Sequence, residues 1–155
     1  MYIEYEYTFG LPRQIVWNYL MKEDIIRKSL PGCKSFLVKD TGKYVTDVEI
    51  SAGPLQDIFT IEILLEKEKS PAYFQLRMKG KGNIGEFASN AKLFLKEIQN
   101  STLISCKADA QVTGAAALAG QRILVSAASK GMDHFFQTVE KEIKITLYQL
   151  KRGGR

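Results

Sequence analysis

AAALAGQRILVSAASKGMDHFFQTVEKEIKITLYQL, residues 115–150, contains no proline, and Leu118, Val125, Ala128, Met132, Phe135, Phe136, Val139, Ile143, Leu147 and Leu150 recur along it at helical spacing. An apolar stripe backed by charged positions predicts one long amphipathic helix lying on a core. At ~1.5 Å per residue it extends roughly 50 Å, longer than most sheets are wide, so its last two turns are expected to overhang the body. Its small residues, Ala115 to Ala119, Ala127, Ala128 and Gly131, leave room over part of whatever it covers.

What it covers is a sheet. Residues 2–9 alternate Ile3, Tyr5, Tyr7 and Phe9 with Glu4, Glu6 and Thr8, the period-2 pattern of a half-buried strand. Gly10-Leu11-Pro12 breaks it, Pro12 suits the first turn of a short helix through Leu20, and a second short helix fits Glu23 to Leu30 before Pro31-Gly32. Six further runs follow at 33–39, 44–52, 55–67, 72–81, 86–98 and 102–112, joined by short Gly-, Pro- and Asn-containing turns. Connections this short imply an antiparallel meander. Four runs show one clear apolar face: Phe59, Ile61, Ile63, Leu65; Phe74, Leu76, Met78; Phe87, Ala91, Leu93, Leu95; and Ile104, Cys106, Ala108, Ala110, Val112. Their other faces are polar, so one side of the sheet is wet and the long helix covers the other.

The expected fold is therefore α+β: a helix-grip arrangement in which a seven-stranded curved antiparallel sheet closes around a long C-terminal helix, with two short helices after strand one. A chain of 155 residues makes one such domain, expected over residues 1–150, with 151–155 as a short basic tail. No apolar run approaches the ~18 residues of a membrane-spanning helix, and the N-terminus lacks the pattern of a signal peptide, so a cytoplasmic location is expected. Two cysteines, Cys33 and Cys106, and one histidine, His134, cannot form a zinc, haem or iron–sulfur site, so no cofactor or metal is expected.

The formal charge of +5 is uneven. Residues 141–155 carry +4 and the first 140 only +1, which argues against a nucleic-acid-binding body. The basic end has two readings. Lys and Arg suit a helix C-terminus and aid solubility; equally, they suit an anionic membrane or an acidic partner.

No catalytic constellation is legible. Asp133 and His134 are adjacent on a helix and so do not face each other, and Asp47 and Glu49 share the polar face of one strand, with Asp57 nearby in sequence. The Lys79-Gly80-Lys81-Gly82-Asn83-Ile84-Gly85 turn lacks the Gly-Lys-Ser/Thr of a phosphate loop and precedes a strand; glycines that let a strand bend explain it better. Lys79 and Lys81 remain candidates for holding an anionic ligand head at a cavity mouth. No enzyme activity is expected.

Pro31-Gly32-Cys33, Gly53-Pro54, the Lys79-Gly80-Lys81-Gly82 turn, and Ala108-Asp109-Ala110-Gln111-Val112 followed by a small-residue helix start and Met132-Asp133-His134-Phe135-Phe136 together resemble the CoxG family of carbon monoxide dehydrogenase subunits, part of the START-like SRPBCC superfamily. The resemblance runs over roughly residues 2–143. It implies an apolar cavity and an accessory role in membrane association and quinone handling for a molybdenum hydroxylase. Members that attach an enzyme to the membrane carry a longer C-terminal extension, so the cavity is the inheritance expected here.

On that reading the protein binds a lipophilic ligand, a quinone or lipid, without catalysis. Phe59, Ile61, Phe74, Leu76, Met78, Phe87, Ala91, Leu124, Ala128, Met132 and Phe136 line the cavity, while Pro31, Gly32, Gly53 and Pro54 are structural family positions. Expected partners are the lipophile, an oxidoreductase complex, and the inner face of the membrane, touched peripherally by the basic end. The alternative is an interaction or assembly module for a molybdenum hydroxylase in which the same apolar residues form a filled core, the arrangement that composition alone favours.

Overall fold

Alternation in the first strand sets the edge of the sheet. Ile3 and Phe9 are buried and stand opposite Ala108 and Thr102 of the last strand. The computed structural model describes residues 1–153. Along the chain come β1 (Tyr2–Phe9), α1 (Arg13–Leu20), α2 (Glu23–Ser29), β2 (Cys33–Asp40), β3 (Lys43–Ala52), β4 (Leu55–Lys69), β5 (Tyr73–Gly82), β6 (Gly85–Ile98) and β7 (Ser101–Thr113), then a 3₁₀ turn (Ala115–Ala119) and α3 (Gln121–Gly153). The strands form one curved antiparallel sheet in the order β1-β7-β6-β5-β4-β3-β2, the meander expected, with β1 added beside β7.

Two helix boundaries differ from the sequence pattern. The periodicity places the start of the long helix near Ala115, but α3 begins at Gln121. Gly114 and Gly120 both have positive φ, +79° and +91°, and between them Ala115–Ala119 winds as a 3₁₀ turn held by the Ala116 N–H donating to Ile84 O at 2.7 Å. Period alone does not separate this turn from the helix beyond it. The second short helix stops at Ser29 rather than Leu30, because the residue before Pro31 is pushed out of the helical region; Leu30 is extended at φ −68°, ψ 118°.

Gly32 follows at φ +71°, and its O accepts from the Glu49 N–H at 2.8 Å. A Cβ there would sit 2.2 Å from Glu49 O, so any other residue would push α2 away from β3. Gly53, at φ +58° beside Pro54, turns β3 into β4. α3 itself has 33 residues. Its last buried side chain is Ile143, and Ile145, Tyr148 and Leu150 beyond it are exposed, so the end overhangs the body. It stays helical through Gly153, into the segment read as a tail; Gly154 and Arg155 lie outside the described residues.

The apolar side chains gather in two clusters. The larger joins β1, α1, the inner face of β5 to β7 and the second half of α3, around Phe9, Val16, Leu93, Leu95, Ile104, Phe136, Val139 and Ile143. The smaller joins Ile26 of α2 to Tyr44, Val48, Phe59, Ile61 and Ile63 on β3 and β4. Leu76 and Phe135 touch both.

Candidate functional site

The site develops from a break in burial along α3. Phe136, Val139 and Ile143 recur at helical spacing and are 3%, 0% and 0% exposed, closed against Phe9 and the main cluster. Not one residue from Gln121 to Phe135 is buried, although Val125, Ala128, Met132 and Phe135 belong to the same stripe and pack on that cluster. Ala127 and Gly131 reduce the bulk of this half, and a Cβ added at Gly131 meets nothing within 4 Å. The first half of α3 is a loosely packed wall, and the second half is a closed one.

Polar bonds fix the closed half. Glu140 accepts from the Tyr7 hydroxyl at 2.6 Å and from the Gly10 N–H at 2.8 Å, and Lys144 stands 3.3 Å away. Burial opposes ionisation of Glu140, but the bonds from Tyr7, Gly10 and Lys144 outweigh it and hold the carboxyl below its usual range. Two turns earlier, Asp133 accepts from the Tyr5 hydroxyl. Burial first, and then these carboxylate bonds, push both tyrosines well above their ordinary range. The phenols remain neutral donors that tie β1 to α3.

The floor opposite the loose half comes from alternate positions of β4 to β6. Phe59 and Ile61 are buried in the smaller cluster, with Leu76, Met78 and Phe87 half-buried against it. Phe74, Ala91 and Phe136 are buried in the larger cluster, with Leu76, Ala128 and Met132 half-buried beside them. Leu124 is half-buried at the start of α3 and packs in neither cluster. Gly80 makes room for the aromatic floor: a Cβ there would lie 2.1 Å from the Phe87 ring, which occupies that space instead and meets Phe59 at 5.8 Å between centroids.

Tyr44 and Val48, which the sequence pattern does not single out, complete this surface together with Phe135 of the α3 stripe. The alternation of Tyr44, Thr46, Val48 and Ile50 carries the signal, masked by the polar Thr46. That side chain is 1% exposed and satisfied by donating to Ser35 O at 2.7 Å.

Titratable groups lie away from this surface or are engaged. Asp47 accepts from Thr60 and Ser35 on the opposite face of the sheet, and Glu49 pairs with Lys34 at 3.0 Å. The Ile84 N–H, assisted by those of Ile58 and Asn83, holds Asp57 below its usual range and anchors the β5–β6 hairpin. His134 is exposed, and burial pushes the Cys106 thiol up to about 11. Lys79 and Lys81 are exposed on the outer face, where Lys81 lies 3.6 Å from Glu86, so neither stands at the mouth of the inner surface. No group of His, Cys, Asp and Glu suited to a metal occurs among the described residues.

The family model of CoxG, a subunit of carbon monoxide dehydrogenase, matches residues 7–144, which covers the end of β1, β2 to β7, both short helices and α3 as far as Lys144. The chain belongs to the CoxG family. Solved structures share the fold of this CoxG-family chain. A conserved protein from Geobacillus kaustophilus is 26% identical over 94% of this chain and 97% of that one, with a TM-score of 0.90. A START superfamily protein from Mycobacterium smegmatis, 11% identical over 94% and 98%, gives 0.72. The Zhui aromatase/cyclase from Streptomyces sp. R1128, 12% identical over 93% of each chain, gives 0.62 and shares the fold. No curated protein sequence matches the chain.

In this CoxG-family chain two surface concavities, of about 580 and 260 Å³, lie on the outer face of the sheet, away from α3. They are therefore separate from the inner apolar surface. Among the described residues no helix is long and apolar enough to cross a membrane.

Proposed function

We propose that this CoxG-family protein is a non-enzymatic carrier that holds a lipophilic molecule, a quinone or a lipid, between the loose first half of α3 and the floor of β4 to β6. The observation that carries this reading is the burial break. A stripe of apolar side chains packs shut from Phe136 onward, yet stays half-buried from Val125 to Phe135 over an aromatic and methionine floor. Apolar side chains with a polarizable member such as Met78 or Met132 adapt to a variable lipophile. The α3 carboxylates beside the larger cluster, Asp133 and Glu140, are engaged by the Tyr5 and Tyr7 hydroxyls, which favours binding over catalysis. We take Phe59, Ile61, Phe74, Leu76, Met78, Phe87, Ala91, Leu124, Ala128, Met132 and Phe136 as the lining.

The family supports an accessory role beside a carbon monoxide dehydrogenase complex, and we propose a cytoplasmic location for it. The overhanging end of α3, with exposed Tyr148 and Leu150 beside Lys151 and Arg152, suits a peripheral membrane contact worth about 1 kcal/mol per basic residue near an anionic bilayer. A second reading, an assembly module with a filled core, draws on the full burial of Phe59, Phe74, Ala91 and Phe136.

Thermal unfolding separates the two. A carrier is stabilised increasingly, with the logarithm of concentration, by added ubiquinone or phosphatidylglycerol in detergent, because a ligand that binds only the folded state raises its stability. A melting temperature that ignores every quinone and lipid tested would leave only the filled-core module.

A further inference from the structure

The outer face of the sheet, expected to be merely wet, carries a basic trough. Its two concavities share Arg77, Asn90 and Asp109, and together run from β2 across to β7. Six cations line them, Lys39, Lys43, Arg77, Lys79, Lys92 and Lys107, against two acids, Glu62 and Asp109. Of these six, among the described residues only Arg77 is in an ion pair, at 2.7 Å from Glu66. Lys92 stands directly opposite Lys107 in the β6–β7 ladder, and Glu4 of β1 faces Lys107 from the other side, so Lys92 is the one left beside a like charge. The trough also has apolar side chains. Val45 and Leu64, diagonal neighbours on β3 and β4, point outward yet are half-buried, with Ala88 close by.

We infer that this trough docks an acidic, amphipathic segment of a partner protein. Unpaired lysines supply long-range attraction to carboxylates, and Val45, Leu64 and Ala88 offer contact to apolar side chains between them. Asn90 and Gln111 provide amides for main-chain hydrogen bonds. A bilayer is too flat to enter a concavity, and a polyphosphate backbone gains nothing from an apolar floor interrupted by two carboxylates. The inference is independent of any lipophile on the inner face.

The test is an amide-resolved titration of the full chain with a synthetic peptide of glutamates interspersed with leucines. Parallel arms use the same peptide with lysines for glutamates, phosphatidylglycerol vesicles, and an oligo-dT strand. Only the acidic peptide should shift Val45, Leu64, Ala88 and Asn90, and its affinity should fall about tenfold from about 50 to 300 mM salt. Lys43→Gln with Lys79→Gln should weaken binding by about tenfold, and Lys151→Gln with Arg152→Gln should leave it unchanged; all four residues are exposed. No shift at these amides at millimolar acidic peptide would overturn the inference. So would vesicles or oligo-dT shifting them in preference to the peptide, or equal loss in both double variants.

Discussion

The two halves of α3 share one helix and one apolar stripe, yet pack in opposite ways. Beyond Phe136 the stripe carries branched and aromatic side chains, Phe136, Val139 and Ile143, which meet Phe9 and are shut from water while Glu140 clamps Tyr7 and Gly10. Before it, Ala127, Ala128 and Gly131 shrink the same face and nothing is buried. Periodicity decides which side of a helix faces the core. Side-chain volume decides whether that side is closed, and here the change in volume falls in mid-helix, so one end secures the fold and the other is free to wall a site.

The sharpest way to break this contrast is to truncate one residue from each half. Ile143→Ala removes a fully buried side chain in a closed cluster and should lower unfolding free energy by about 2–5 kcal/mol, whereas Val125→Ala should cost less than about 1 kcal/mol. Denaturant titration measures both, and equal losses would abolish the distinction. Next in size is the clamp. Glu140→Gln weakens charge-assisted bonds to Tyr7 and Gly10 and should cost about 1–3 kcal/mol at neutral pH. The folded state holds this carboxyl below its unfolded value, so the clamp contributes fully above the unfolded value of about 4.3 and is lost as pH falls through the folded one. The gap between the variant and the natural protein should therefore close in acid; a gap constant down to pH ~3 would show that ionised Glu140 is not the clamp. Smallest in stability is Ala128→Trp. In a loose half the added ring should cost at most about 1 kcal/mol while removing stabilisation by quinone or lipid; a loss of about 3 kcal/mol or more would mean that this half is already full.

Much of the fold is legible in sequence because its signals are local. Alternation in β1 and in β4 to β7 places Ile3, Phe59, Phe74, Leu93 and Ile104 inside, and the long proline-free stripe identifies α3. The 3₁₀ turn before α3 is not legible, since it depends on positive φ at Gly114 and Gly120 and on a bond to Ile84, none of which alters hydrophobic period. The inner apolar surface is partly legible. Phe59 and Met78 follow from alternation and Phe135 from the helical stripe, but Tyr44 and Val48 join through β3–β4 pairing, which is long-range. The outer trough is invisible for the same reason: Lys39, Lys79 and Lys107 are scattered in sequence within a nearly neutral body and converge only when six strands align.

The central claim is that the loose half of α3 walls a site for a lipophile. Native mass spectrometry of the protein, purified gently from its own host beside its Ala128→Trp variant, tests it most directly. The account predicts a bound mass that extracts into organic solvent from the natural protein and is missing from the variant. A bare polypeptide mass in both, or the same adduct retained in the variant, would contradict it.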